Sequence, residues 1–333
     1  MDKYMPPMRA RPKFIGSPDA KILILIDMPD RGALKGDLPL SGATLSTMQE
    51  CLHIAGLITH DVYIVALVPG ECEPDRWWNP RKHAPTRDIT VQLDTARRIV
   101  QSSRANIILA MGDLSSYVTC GRKTLSHDRG YVFPCTLEGC DRKVMPVQDV
   151  KNMIWKNYEW RYYLASDLKK ASLLSDKSEL YYDKREPIIV EDYQKALDVI
   201  RFCEQHKVVS VDIEVSNFQV SHMGLSISAE LGWSIPFRND LWSVEQEVEL
   251  WKAMARLLSN SSVAKIGQNF IFDMHFLLSR NNILVSGSVY DTMVAQSLIY
   301  PDFLKGLEFL GSTYLNVPAW KDTVKFKNIK KES

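Results

Sequence analysis

No stretch of this 333-residue chain approaches the ~18 consecutive apolar residues that read as a membrane-spanning helix. Its first residues, MDKYMPPMRARPKF, are basic and proline-rich but lack the apolar core of a secretory signal, so a cytoplasmic protein is the expectation. Cysteine is sparse. The six residues at 51, 72, 120, 135, 140 and 203 form no disulfide framework and are expected as free thiols. Cys135 and Cys140 flank a short turn in CTLEGC, but structural zinc needs four ligands and no second pair stands nearby. Neither sign of charge dominates, with 41 Lys and Arg against 40 Asp and Glu. The balance is 24 to 19 through residue 170 and 17 to 21 beyond it, a mildly basic front and acidic rear too weak to define a partner. No internal repeat or low-complexity tract occurs. What remains, 45% hydrophobic and 24% charged, is an ordinary globular composition with length enough for two cores.

The chemistry-bearing residues lie in the second half. VVSVDIEVS carries Asp212 and Glu214, and KIGQNFIFDMHFLL, about 60 residues on, carries Asn269 and Asp273. The β-branched run from Val208 reads as a buried strand, and residues two apart on a strand share a face, so Asp212 and Glu214 aim at one spot. Asn269 and Asp273, four apart at the start of a helical pattern, share a helix face. Carboxylates converging from a strand and a helix suit magnesium, which takes hard oxygen ligands and keeps waters. Two such ions roughly 3.5–4 Å apart can hold the attacking and leaving oxygens of an in-line displacement at phosphorus. Alone, an Asp-x-Glu pair is commonly a solvated strand face. Order, the apolar strand before it and the Gly267 turn into the helix together favour the site.

Residues 188–322 resemble the 3′–5′ exonuclease domain of family A DNA polymerases, within the DEDD group of RNase H-like fold. The resemblance runs through VSVDIE, KIGQNFIFDMHFLL and YDTMVAQSLIYPDFLKGLEFLGSTYL. It implies Asp212, Glu214 and Asp273 as catalytic ligands of a two-ion Mg²⁺ or Mn²⁺ site, with Asn269 orienting substrate. It gives Asp291, ahead of Thr292 and Met293, a structural role. The family's third motif, a Tyr followed by Asp at the fourth position after it, does not occur: Tyr314 has Pro318 there, and the chain runs on to KDTVKFKNIKKES. The sequence therefore reads as the front part of a longer polymerase, with weakened or absent exonuclease activity unless a fourth acid comes from elsewhere. The five lysines from 321 to 333 read as a solvated tail. Phe218, Met223, Leu225 and Phe270 lie near the motifs and are expected mostly in the core, and His222 and His275 are read as structural.

In the first half, KILILI (21–26), DVYIVALV (61–68) and ANIILAMG (105–112) read as buried strands. Helical patterns run through GATLSTMQECLHIAGL and near 89–103, and a hairpin is expected around 130–147. Such alternation favours a largely parallel sheet covered on both faces. Residues 14–172 resemble a uracil-DNA glycosylase fold, as found at the front of some phage polymerases. The signatures such enzymes need are eroded. Asp27, Met28, Pro29 and Asp30 follow the first strand, and Ala66 replaces a pyrimidine-recognising Asn. Pro146, Val147, Gln148 and Asp149 stand where a His would stabilise the uracil anion, which Asp149 would repel. A catalytically inactive domain is expected. In the loop ECEPDRWWNPRKHAPTRD, Trp77 and Trp78 beside Arg76, Arg81 and Lys82 could bind single-stranded substrate by stacking. The bland alternative folds both rings over the sheet.

The expected architecture is α/β. A glycosylase-like three-layer domain (1–175) leads through the polar linker 176–187 to a mixed-sheet, RNase H-like exonuclease domain (188–322) and a lysine-rich tail (323–333). The expected function is the proofreading 3′–5′ exonuclease part of a phage-type family A polymerase. It would act in the host cytoplasm on single-stranded DNA or a primer 3′ end, with a polymerase fragment in trans as a further partner and no membrane. A nuclease-inactive DNA-binding module, or a free-standing DEDD nuclease on RNA or DNA, are the rival readings.

Overall fold

The computed structural model describes residues 14–30, 38–68, 77–155, 158–237 and 241–319. Cys72, Arg76 and the tail 323–333 lie outside the described residues. The chain divides into two units. One comprises residues up to Tyr182 together with those from Glu308 onward, the other Asp183–Leu307.

The first unit runs β1 (Phe14–Gly16), β2 (Ile22–Ile26), α1 (Gly42–Ile54), β3 (Val62–Ala66), β4 (Trp78–Asn79), β5 (Ala84–Pro85), α2 (Thr90–Ser102) and β6 (Ile107–Met111). It continues through α3 (Asp113–Cys120), α4 (Leu125–Asp128), β7 (Phe133–Pro134), β8 (Lys143–Val147), α5 (Val150–Trp155) and α6 (Trp160–Leu174). Six strands align in the order β1-β3-β2-β6-β8-β7, parallel except at the two edges. Every residue of ILILI in β2 is buried, as a strand covered on both faces requires. Leu23 and Leu25 join Ala96, Ile99, Leu114 and Val118 from α2 and α3 on one face. Ile22, Ile24 and Ile26 join Met48, Leu52, Leu164 and Leu168 from α1 and α6 on the other. Each such side chain contributes about 1.5–3 kcal/mol on burial, so the alternation specifies three layers.

The polar run beginning ASDLKKASLL reads in sequence as the approach to a linker. Its first ten residues instead complete α6, where Asp167 and Lys170 are buried. Their partners are distant in sequence. Arg129 Nη1 donates to Asp167 Oδ1 at 2.7 Å, and Arg129 Nη2 to Thr313 Oγ1 at 2.7 Å. Lys170 Nζ donates to the carbonyls of Gly130, Ser312 and Leu315 at 2.6–2.7 Å. Residues 308–319 thus fold as a strap on the first unit, with Val317 in its core, although their sequence reads as a continuation of the second domain.

The second unit contains β9 (Glu186–Ile189), α7 (Tyr193–Glu204), β10 (Val208–Ser216), β11 (Gln219–Ser226), β12 (Leu231–Pro236), α8 (Val244–Ser259), β13 (Ala264–Gly267), α9 (Phe270–Asn281), β14 (Val289–Asp291) and α10 (Thr292–Ile299). The helix α11 (Leu307–Tyr314) then opens the strap. The sheet order is β14-β13-β10-β11-β12-β9. β10, β11 and β12 form an antiparallel meander, while β13 runs parallel to β10, β14 to β13 and β9 to β12. This mixed sheet is the one expected. Along β10 burial alternates, with Val209, Val211 and Ile213 packed on α7, α8 and α9. Ser210, Asp212 and Glu214 take the opposite, solvent-facing side.

Candidate active site

Asp212 and Glu214 sit on one face of β10, as their spacing predicts, and both are exposed. Across the ladder Asp212 faces Gly224 and Glu214 faces His222. The register slips between Glu214 and Val215, and Ser221 Oγ donates to the Glu214 carbonyl at 3.0 Å, so a bulge flanks the second carboxylate and re-aims the strand end. The hairpin then turns at Asn217 and Phe218, with φ of 51° and 61°. Asn adopts that left-handed backbone readily; Phe does so only under strain. Phe218 is nevertheless 78% exposed, whereas Met223, Leu225 and Phe270 are buried in the core.

Asp273 comes from the first turn of α9 and is buried. Its Oδ1 accepts from the Ile213 amide at 3.0 Å, which ties it to the β10 backbone beside Asp212. Desolvation pushes its pKa up to about 6, and the charges of Asp212 and Asp291 add to this. Asp212 is raised as well, chiefly by desolvation and then by Glu214. Among the described residues the Asp212 and Glu214 carboxylates have no hydrogen-bond or ion-pair partner. Negative charge here is left uncompensated by protein cations.

Among the described residues no three His, Cys, Asp or Glu side chains group so as to enclose a metal ion. Asp273 Oδ1 is engaged by the Ile213 amide, and Oδ2 remains available. The acids couple pairwise, Asp212 with Glu214 and Asp212 with Asp273. Such a pair still matches magnesium, which binds one or two carboxylates and fills its remaining positions with water and substrate phosphate.

Asn269 is not on the helix. It is the N-cap of α9, with left-handed φ of 55° and an exposed side chain that makes no cap hydrogen bond. Asp291 does the capping work from outside. Its carboxylate accepts from the Asn269 amide at 3.0 Å, the Phe270 amide at 2.8 Å and the Met293 amide at 2.8 Å. The start of α9, and so the placement of Asn269 and Asp273, depends on this side chain. Gly267 is required at the same turn, because a Cβ there would collide with the Phe270 ring. Beyond Asp212 the uncovered sheet face forms an open groove of about 310 Å³, lined by Ile189, Ser210, Gly224, Gly232 and Ser234.

The tryptophan pair packs against the first unit, Trp78 buried and Trp77 partly so. Trp78 is 6% exposed and packs against Tyr117 of α3, with ring centroids 5.6 Å apart. Trp77 packs on the first unit's core, with the Arg87 guanidinium 4.9 Å from its ring. Both rings were available for burial because the sheet beneath offers apolar surface; Arg81 and Lys82 at the hairpin tip stay exposed. At the C-terminal ends of β2, β6 and β8, Asp149 interacts electrostatically with both Asp27 and Asp113. Asp27 accepts from the Leu114 and Ser115 amides at the α3 N-terminus, yet desolvation, aided by Asp149, pushes it up to about 6.

Residues 187–331 match a family model described as 3′–5′ exonuclease. No curated protein matches the chain. Among solved structures it is similar to the Aedes aegypti Nibbler EXO domain, at 12% identity over 37% of this chain and 62% of that one, TM-score 0.30. It is similar to Trypanosoma brucei RNase D in complex with RNA U12, at 18% identity over 36% of this chain and 41% of that one, TM-score 0.29. The EXD2 exonuclease domain soaked in Mg and dGMP aligns at 17% identity over 44% of this chain and 77% of that one, TM-score 0.27. The chain thus spans less than two thirds of the Nibbler domain and of the RNase D chain.

Proposed function

We propose that the second unit hydrolyses the 3′-terminal phosphodiester of a single-stranded nucleic acid and releases a nucleoside monophosphate. Asp212 and Glu214 would hold a divalent cation, Mg²⁺ or Mn²⁺, with Asp273 the third acid of a two-ion site. A bound cation supplies positive charge at the scissile phosphate and acidifies water. The chain's own contribution is placement. Ile213 N–H orients Asp273, the bulge at Ser221 aims Glu214, and Asp291 fixes the turn that presents Asn269 towards substrate. The observation that supports this most is the partnerless acidic pair on β10, coupled to buried Asp273, within the stretch that matches the exonuclease family.

The finer reading is proofreading on DNA as part of a phage-type family A polymerase, in the cytoplasm of its host. The first unit then serves DNA contact or architecture. Asp27, Asp113 and Asp149 at the ends of β2, β6 and β8 suit no anionic leaving group, which favours an inactive glycosylase-like domain. The open acidic cluster favours a second reading, a nuclease-inactive DNA-holding module working with a separately encoded polymerase part.

Incubation with labelled single-stranded DNA and RNA, with and without Mn²⁺, tests both. Stepwise 3′ shortening that falls on the order of 10³-fold in Asp212→Asn is expected. DNA binding without cleavage would select the second reading, and preference for RNA would remove the polymerase assignment.

A further inference from the structure

The nuclease reading leaves the cysteines of the first unit without a role, and two of them are placed for chemistry. β7 and β8 pair antiparallel, Phe133 opposite Val144 and Pro134 opposite Lys143. The ladder extends one step further, through the Cys135 amide to the Arg142 carbonyl at 3.0 Å. A tight turn closes the loop, with the Cys140 amide donating to the Leu137 carbonyl at 3.1 Å and Gly139 at φ +73°. In this register Cys135 lies diagonally across from Cys140 on the same face of the hairpin. Their thiols lie close enough to influence one another, and both are half-buried and free. Cys140 also lines a surface notch of about 70 Å³, with Gln101 and Arg142 on its wall.

We propose that Cys135 and Cys140 form a redox-active dithiol, which low-molecular-weight disulfides oxidise to an intramolecular disulfide, with Cys140 the attacking thiol and Cys135 the resolving one. The Cys140 thiolate attacks one sulfur of the external disulfide RSSR, forming a Cys140–SR mixed disulfide and expelling RS⁻. Cys135 then loses its proton and attacks the Cys140 sulfur, forming the Cys135–Cys140 bond and expelling the second RS⁻. The two thiolates take up the two cysteine protons. The protein pair is oxidised, and RSSR is reduced to two RSH.

Cys140, which lines the open notch, is the thiol an external disulfide reaches first. Contact with the Cys135 thiol, helped by the Arg142 amide and charge, lowers the Cys140 thiol to about 7. The same contact, with burial, raises Cys135. An attacking thiol works best with a pKa near ambient pH. Burial pushes Cys51 and Cys120 up to about 12 and Cys203 up to about 11, which makes them poor competitors. Oxidation staples a turn that is already tied to α3, because the Thr136 amide and hydroxyl both donate to the Thr119 carbonyl.

The test incubates the reduced full chain with glutathione disulfide, blocks remaining thiols with maleimide in denaturant, and maps tryptic peptides. Both cysteines fall in one fragment, Gly130–Arg142. The expected result is this fragment lighter by the two thiol hydrogens and unlabelled, with Cys51, Cys120 and Cys203 labelled. Cys135→Ser should trap glutathione on Cys140, and Cys140→Ser should leave Cys135 modified at least roughly tenfold more slowly. A fragment that remains dithiol, or a bond from either cysteine to a third one, overturns the proposal. So does a folded Cys135→Ser chain free of glutathione at Cys140. If either variant fails to fold, the map of the unaltered chain decides alone.

Discussion

At residue 273, burial and neighbouring charge push the same way. Asp273 has a pKa near 6 in the fold against 3.8 for the free side chain, so the native state holds its proton more tightly than the unfolded chain does. The stability this contributes is fully present below about pH 4 and is lost as pH rises through about 6. Asp212 is shifted in the same direction and steepens the loss. In Asp273→Asn the amide oxygen still accepts from Ile213, while the charge is gone. In EDTA that variant should match the unaltered chain near pH 4 and exceed it at pH 8 by about 2 kcal/mol. Thermal melts across pH check this, and equal slopes for the two proteins would count against it. Added Mn²⁺ should raise the melting temperature of the unaltered chain at pH 8 more than that of the variant. That Asp212 and Glu214 share a face was legible from spacing alone, since strand alternation is local; the place of Asp273 beside Asp212 was not. The exposed, strained Phe218 was not, although Asn217 between two apolar runs marked the turn. Neither was the inward packing of Trp77 and Trp78, because a tryptophan's side of a sheet depends on apolar surface supplied by distant strands.

At the scale of elements, the entry into α9 rests on one carboxylate. Asp291 is the N-cap of α10 through the Met293 amide and simultaneously receives the Asn269 and Phe270 amides. Asp291→Ala strips three backbone donors of their acceptor and should cost roughly 2–4 kcal/mol. Because the same turn carries Asn269 and Asp273, nuclease turnover should fall even at temperatures where the variant is folded. Chemical denaturation and turnover measured side by side check this, and lost stability with unchanged turnover would separate the turn from the site. The strands VVSVDIEVS and ILILI were readable because burial alternation is written in neighbouring residues. The bulge at Ser221 and the left-handed Asn269 were not, since each is fixed by a partner lying elsewhere in the chain, the opposite strand or Asp291. Asn269 carried one hint, since asparagine tolerates that backbone better than most residues do.

At the scale of the whole molecule, the chain leaves the second unit at Leu307 and immediately becomes part of the first unit. No local pattern foretells this. Lys170 lies in a charge-mixed run that resembles a linker, and only the tertiary fold reveals that its ammonium serves three carbonyls, two of them in the strap. Burial raises the pKa of Asp167 even though Arg129 lies 2.7 Å away, so this polar cluster is held together by geometry and not by surplus charge. Removing one member of such a cluster leaves the others buried and unpaired, which is far costlier than losing a surface pair. Lys170→Met keeps most of the side-chain volume and removes the three donors. It should destabilise the first unit by roughly 3 kcal/mol and leave the second unchanged. Calorimetry is expected to show one transition moved down and the other, identified by its response to Mn²⁺, fixed. If both transitions fall together, the strap couples the stabilities of the two units, and its role extends beyond completing the first.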